Sequence, residues 1–120
     1  MAYMDQDFIT KIDELCDQEV KTLLFLIDLI IPSSEDGRMP SASEVGFLEY
    51  MYSENHSTWI KNGLVNISKE SYSRYAAEFP DLTVHQKMQL IKSLKRSLSR
   101  FFNQLTFEVI KCYYMDDRVL

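Results

Sequence analysis

Glycine and proline are scarce in this chain of 120 residues, which contains three of each. Sandwiches and barrels need many short turns built on these residues, so their scarcity argues against an all-β fold. Hydrophobic residues make up 46% of the sequence, well above the composition of disordered chains. Because the chain is too short for two cores, we expect one all-α domain over residues 1–120, a bundle of four to five helices.

The chain also has no excess of basic residues. The net charge is -5 and the pI is near 5.0, so the chain as a whole repels phosphate backbones. The one basic stretch, KSLKRSLSR, places its charges on the polar positions of a predicted helix. We therefore expect a solvated or partner-facing surface there and no nucleic-acid partner.

Cysteines and long apolar runs are few. Cys16 and Cys112 are the only cysteines, and their spacing matches no metal or redox motif. Buried thiols are the simpler interpretation, and one bridge between the first and last helices is the alternative. The longest apolar run, LLFLIDLII, is interrupted by Asp28 and is too short to span a bilayer.

The N-terminal stretch MAYMDQDF has no basic region, apolar region or twin arginine of an export signal. As it stands, the sequence predicts a cytoplasmic protein. A periplasmic location would follow if a leader was removed or if the chain is exported together with a partner.

Apolar residues recur at steps of three and four in four segments, which predicts helices. The first covers residues 5–31 and ends at Pro32. Two capping boxes, Ser41-Ala42-Ser43-Glu44 and Thr83-Val84-His85-Gln86, predict helix starts. The predicted helices are thus 5–31, a second from about Ala42, and a third over 59–78 that Gly63 weakens. The last segment, from Val84, is either one long helix or two helices with a kink near Leu98.

The tetrapeptide Tyr114-Met115-Asp116-Asp117 matches the YMDD motif of a polymerase metal site. Such a site needs a β-hairpin and a further carboxylate on an adjacent strand. YMDD follows a strongly helical segment instead, so we interpret the motif match as a coincidence.

Other catalytic patterns are absent from the sequence, including phosphate-binding glycine loops and HExxH. His56 and His85 have no acid at a spacing that would orient either ring, so both are expected to be structural or exposed. A ferritin-like site would need Glu-x-x-His motifs, which neither histidine completes. We expect no catalytic, cofactor-binding or metal-binding residue in this chain.

Aromatic residues are abundant, with seven Tyr, seven Phe and one Trp. Tyr and Trp bring large contact areas at low entropy cost, so the surplus suggests a partner interface; ordinary core and boundary packing is the alternative. The predicted interface residues are Phe25, Tyr52, Trp59, Phe101, Phe102, Tyr113 and Tyr114.

Several motifs, taken in order, resemble the small subunit (subunit 3) family of gluconate 2-dehydrogenase. They are LIDLIIP at 26–32, Pro40-Ser41-Ala42, VGFLEYM at 45–51, Phe79-Pro80-Asp81-Leu82, His85-Gln86-Lys87, and the closing stretch with Phe101, Phe102, Thr106 and Cys112-Tyr113-Tyr114-x-Asp116. The likeness covers about residues 20–118. Cys112 stands where the family usually has glycine, Asp117 where it usually has proline, and the family's common twin-arginine leader is missing.

The resemblance implies a non-catalytic subunit that holds no cofactor itself and binds a large flavoprotein of the glucose-methanol-choline type. That partner would carry FAD and oxidise a sugar or sugar acid, and a cytochrome c subunit takes the electrons in several such complexes. Alone, the chain is expected to self-associate through the surface meant for its partner. Two alternatives remain: a stand-alone helical adaptor or regulator without a redox role, and a small metal-dependent enzyme.

Overall fold

The computed structural model describes residues 15–31 and 46–115, and these ranges contain helices and no strand. The all-α prediction is therefore confirmed. Within these ranges there are five α-helices, with one 3-10 turn between the third and the fourth. They are α1 (Asp17–Ile30), α2 (Phe47–Ser53), α3 (Ser57–Tyr75), the 3-10 turn (Phe79–Asp81), α4 (Val84–Ser97) and α5 (Ser99–Tyr114).

Helix α5 is central, since it packs against each of the other four helices. Its residues Leu105 and Val109 are almost fully buried. Helices α1 and α3 also pack on each other and on the 3-10 turn, where Phe79 is 1% exposed. Each such buried apolar side chain contributes about 1.5–3 kcal/mol relative to an exposed one. The fully buried core further includes Leu23, Ile27, Phe47, Met51, Ile60, Leu64, Ile67 and Leu90.

The capping box before α4 and the kink near Leu98 are confirmed. Thr83 Oγ1 accepts from the Gln86 amide at 3.1 Å, and Gln86 Oε1 accepts from the Thr83 amide at 3.0 Å. This exchange satisfies two amides that the first helical turn leaves without partners. At Leu98 the backbone leaves helical geometry, with φ -113° and ψ 34°, and separates α4 from α5.

Three helix boundaries differ from the prediction. Helix α2 begins at Phe47 and not near Ala42, since Gly46 takes the left-handed conformation with φ 75°. Helix α1 begins at Asp17 because Cys16 is extended (φ -79°, ψ 169°) and its amide donates to Glu19 Oε1 at 2.9 Å. Helix α3 ends at Tyr75 and not at position 78, since Ala76 takes the left-handed conformation with φ 55°. The remainder of the predicted first helix, residues 5–14, and the capping box at Ser41-Glu44 lie outside the described residues.

The two cysteines are far from equivalent. Cys112 is buried, as expected, whereas Cys16 is exposed, so the prediction of a second buried thiol is wrong. Neither forms a disulfide, which removes the alternative of a bridge between the first and last helices. Among the described helices, none combines the length and apolar character that crossing a membrane would require.

Gly63 is a packing position and not the weak point that its helix propensity suggested. A Cβ atom built at this position would overlap the Phe101 ring of α5. The absence of a side chain therefore lets the ring lie directly against the backbone of α3.

Replacing Gly63 should test this contact. Gly63→Ala gains about 1 kcal/mol of helix propensity, but overpacking of this kind costs about 1–3 kcal/mol. We expect a net loss of stability in urea denaturation. The matched control is the same substitution in a Phe101→Ala background, where only the propensity gain remains and the sign should reverse. Stabilisation by Gly63→Ala in both backgrounds would contradict the packing role.

Glu19 ties the start of α1 to α3. Its Oε1 accepts from Lys61 Nζ at 2.9 Å as well as from the Cys16 amide. Burial raises the pKa of Glu19, but the hydrogen bonds from Cys16 and Lys61 outweigh it, so the pKa lies below the ordinary value of 4.5. The ionised carboxylate is thus the form that the folded state prefers.

This lowered pKa makes stability depend on pH. The contribution of Glu19 should be fully present above pH 4.5 and should disappear as the pH falls through the lower, folded-state pKa. Glu19→Gln is therefore expected to destabilise the protein at pH 7 and to differ less from wild type at pH values well below 4.5. Urea denaturation across this range measures the difference. Glu49→Gln, at an exposed position on α2, is the control; an equal effect at both positions would refute the specific role of Glu19.

Candidate functional site

Aromatic rings form a continuous row across α2, α3 and α5. Neighbouring ring centroids lie 5.3–5.9 Å apart, and most pairs meet edge to face. We call this row the aromatic ribbon; its members are Phe47, Tyr50, His56, Trp59, Phe101 and Phe102. Three predicted interface residues, Trp59, Phe101 and Phe102, are brought together here, and all three are half-buried. The ribbon thus places large rings at the surface in a fixed arrangement.

A buried carboxylate holds one end of the aromatic ribbon. Glu108 of α5 is 6% exposed, and its Oε2 accepts from the Tyr50 hydroxyl at 2.8 Å. The same oxygen lies 2.9 Å from His56 Nε2. Trp59 Nε1 donates to His56 Nδ1 at 2.9 Å, so the ring hydrogen of a neutral His56 is on Nε2. These bonds connect α2, α3 and α5 through one carboxylate.

This network keeps Tyr50 in its donor form. Burial raises the pKa of the Tyr50 hydroxyl, and the hydrogen bond to Glu108 raises it further. The role of His56 agrees with the structural role expected for it, but the acid that orients its ring was not foreseen. Glu108 is distant from His56 in the sequence. The available signal was its position on the inward stripe of α5, three residues after Leu105 and four before Cys112.

The other predicted interface residues are dispersed. The ring of Phe25 packs edge to face on Phe79 at 5.6 Å and has Lys87 Nζ 4.7 Å above it. Tyr52 is 41% exposed, and its hydroxyl accepts from the Leu15 amide at 3.0 Å. Tyr114 is 60% exposed at the end of α5. Tyr113 is 4% exposed and lies in the core. Its place among the predicted interface residues is therefore corrected.

Sequence reasoning missed a second apolar stripe on α5. Phe107 is 63% exposed, Ile110 is 41% exposed, and Tyr114 follows on the same face. They are spaced by three and four residues, as are the inward-facing Leu105, Val109 and Cys112, but they lie on a different face of the helix. Helix α5 is therefore apolar on two sides, and that double pattern was the signal.

A groove of about 420 Å³ lies between α1, α4 and α5. Leu29, Met88 and Ile110 stand on its margins and are each 41–44% exposed. Phe102 lines the groove and also ends the aromatic ribbon, so the two features are continuous. Ile110 in turn belongs to the outer stripe of α5. We call the groove, the outer stripe and the exposed part of the ribbon the apolar surface.

Two observations bear on the alternative of metal chemistry. Within residues 15–31 and 46–115, no group of three or more His, Cys, Asp or Glu side chains could hold a metal ion. Tyr114 is the last residue of α5 and Met115 follows it, while Asp116 and Asp117 lie outside the described residues. A helix leads into YMDD where a polymerase site would require a strand, in agreement with the sequence interpretation.

Comparison with known proteins decides the family. The family model described as gluconate 2-dehydrogenase subunit 3 matches residues 17–119. The chain belongs to this family. The match begins at the first residue of α1 and includes all five helices, and it confirms the resemblance noted from the motifs. Searches of curated proteins and of solved structures gave no match.

Membership in the gluconate 2-dehydrogenase subunit 3 family describes the chain as a subunit of a dehydrogenase, which implies other subunits. One of its motifs now has a structural explanation. Phe79-Pro80-Asp81-Leu82 forms the 3-10 turn, and Phe79 and Leu82 are buried against the core. The motif thus fixes the turn between α3 and α4.

Removing Glu108 should disrupt the aromatic ribbon. Glu108→Ala leaves the Tyr50 hydroxyl and the His56 N–H without their acceptor, and a donor left unpaired costs about 1–3 kcal/mol when it is buried. Because both donors are only half-buried and water can reach them, we expect a smaller loss, about 1–2 kcal/mol in total in urea denaturation. The near-ultraviolet circular dichroism signal of Trp59 should also change. Glu49→Ala on the exposed side of α2 is the control. A variant as stable as wild type, with an unchanged Trp59 signal, would show that the network does not organise the ribbon.

Proposed function

We propose that this chain is a non-catalytic accessory subunit that binds and stabilises a large FAD-dependent dehydrogenase subunit of the glucose-methanol-choline type. The substrate of that partner would be a sugar or a sugar acid. FAD would belong to the partner, and a cytochrome c subunit is a further candidate member of the complex. The observation that carries the proposal is the apolar surface of a chain that belongs to a family of dehydrogenase subunits.

The apolar surface has the character of a protein-binding site. Contiguous apolar patches on small proteins are often interaction sites, whereas scattered apolar residues need no explanation. Here the patch joins a groove, a helical stripe and a row of aromatic rings. Aromatic side chains held in one geometry lose little entropy on binding, which favours them as interface anchors.

The rigid network beneath the ribbon supports the same function. Glu108 fixes Tyr50 and His56, and His56 in turn accepts the hydrogen bond that orients Trp59. An interface that is already ordered before binding pays less entropy when the complex forms. A subunit that binds only the folded partner stabilises that partner by mass action. Stabilisation therefore requires no chemistry in this chain.

Co-expression with the large flavoprotein tests the proposal. We expect a higher soluble yield of the flavoprotein and co-elution of the two chains in gel filtration, because binding shifts the folding equilibrium of the partner. The control is the flavoprotein expressed alone, with its FAD content measured in both preparations.

Independent elution of two well-folded proteins would contradict the accessory role. That result would favour the adaptor alternative, in which the apolar surface serves a partner without redox chemistry.

A further inference from the structure

The groove between α1, α4 and α5 is apolar on its floor and has margins open to solvent. Leu26, Ile91 and Leu105 form the floor and are nearly fully buried. The margins carry Leu29 from α1, Met88 from α4 and Ile110 from α5. Three helices thus supply the walls, and the exposed apolar side chains stand where a further element would pack between them.

The charge along one margin of the groove is positive. Helix α4 contains Lys87, Lys92, Lys95 and Arg96 and has no Asp or Glu, although the whole chain carries a net charge of -5. Lys95 lines the groove, and no carboxylate lies among its lining residues in the described part of the chain. Lys92 lies four residues after Met88 and three before Lys95, so it stands beside both on the helix surface.

We infer that this groove binds an amphipathic helix of the large subunit, with an apolar face toward the floor and acidic residues along the edge that meets Lys92 and Lys95. The inference rests on the proposed function and adds to it the location and the chemistry of the contact. A helix with apolar anchors every three or four residues is the segment that a groove walled by helices accepts. The cationic margin selects an acidic partner and fixes its orientation.

The position of Phe102 extends the contact beyond the groove. Phe102 lines the groove at the same time as it ends the aromatic ribbon. A helix seated in the groove therefore lies beside the rings of Phe101 and Trp59. The remaining surface of the large subunit would pack on these rings.

Cysteine labelling locates the contact. Leu29→Cys is introduced into a Cys16→Ser background, which removes the exposed native thiol and leaves Cys112 buried. The alkylation rate with a maleimide is measured for the isolated chain, at a dilution where it is monomeric, and for the co-purified complex. Burial in the core of an interface excludes solvent, so we expect the rate to fall about tenfold or more in the complex. Ser73→Cys, exposed on α3, is the matched control and should change little.

Charge reversal tests the acidic edge. Lys95→Glu should raise the Kd of the complex about tenfold at low salt, because it places like charges opposite each other, and the effect should weaken as salt is added. Lys21→Glu makes the same change at an exposed position on α1 outside the groove lining and should leave the Kd within about twofold.

The outcomes separate this inference from the proposed function. A stable complex in which Leu29→Cys reacts as fast as in the isolated chain would overturn the groove contact and leave the accessory role intact. Slow reaction already in the isolated monomer would show that another part of the same chain covers the groove, which also overturns the inference. Protection of Leu29→Cys with no effect of Lys95→Glu would disprove the acidic edge. Failure of the wild-type chains to associate would refute the proposed function itself.

Discussion

Helix α5 has more apolar surface than the other described helices cover, and this excess shapes the described part of the molecule. Its inward stripe, with Leu105 and Val109, forms the centre of the core against four other helices. Its outward stripe, with Phe107 and Ile110, is left in solvent. A small domain buries a smaller fraction of its surface than a large one, so a helix that is apolar on two sides leaves one side for a further segment or a partner to cover. The core and the candidate interface are therefore two faces of one helix.

The contact between α3 and α5 depends on two unlike residues. Gly63 leaves room for the Phe101 ring, and Glu108 brings a carboxylate into an otherwise apolar stripe. Burying a carboxylate is costly unless it is hydrogen-bonded. Here Tyr50 and His56 both bond to it, and the two donors come from the neighbouring ends of α2 and α3. A buried polar network of this kind restricts how the helices can pack, which sets the order of rings along the surface.

Much of the fold follows from local patterns in the sequence. The 3.6-residue periodicity, the Thr83 capping box and the break at Leu98 gave the helices and their order, because each depends only on neighbouring residues. The candidate site was predicted less well. Trp59, Phe101 and Phe102 do meet, but Tyr113 is buried, and Glu108 could be placed only by knowing which helices touch. Helix boundaries at Cys16 and Ala76 depend on backbone conformations that composition does not reveal.

The aromatic ribbon and the groove differ in rigidity and charge. The aromatic ribbon is held by hydrogen bonds and ring contacts, so it can act as a rigid platform whose shape is set before a partner arrives. The groove is different, since its margins carry aliphatic side chains and Lys95, which adapt to the residues they receive. A rigid platform selects a partner by shape, whereas a cationic groove selects by charge and speeds encounter with an acidic segment. Because Phe102 belongs to both, the proposed partner would be positioned on one feature by fitting the other, and the two selections would reinforce each other.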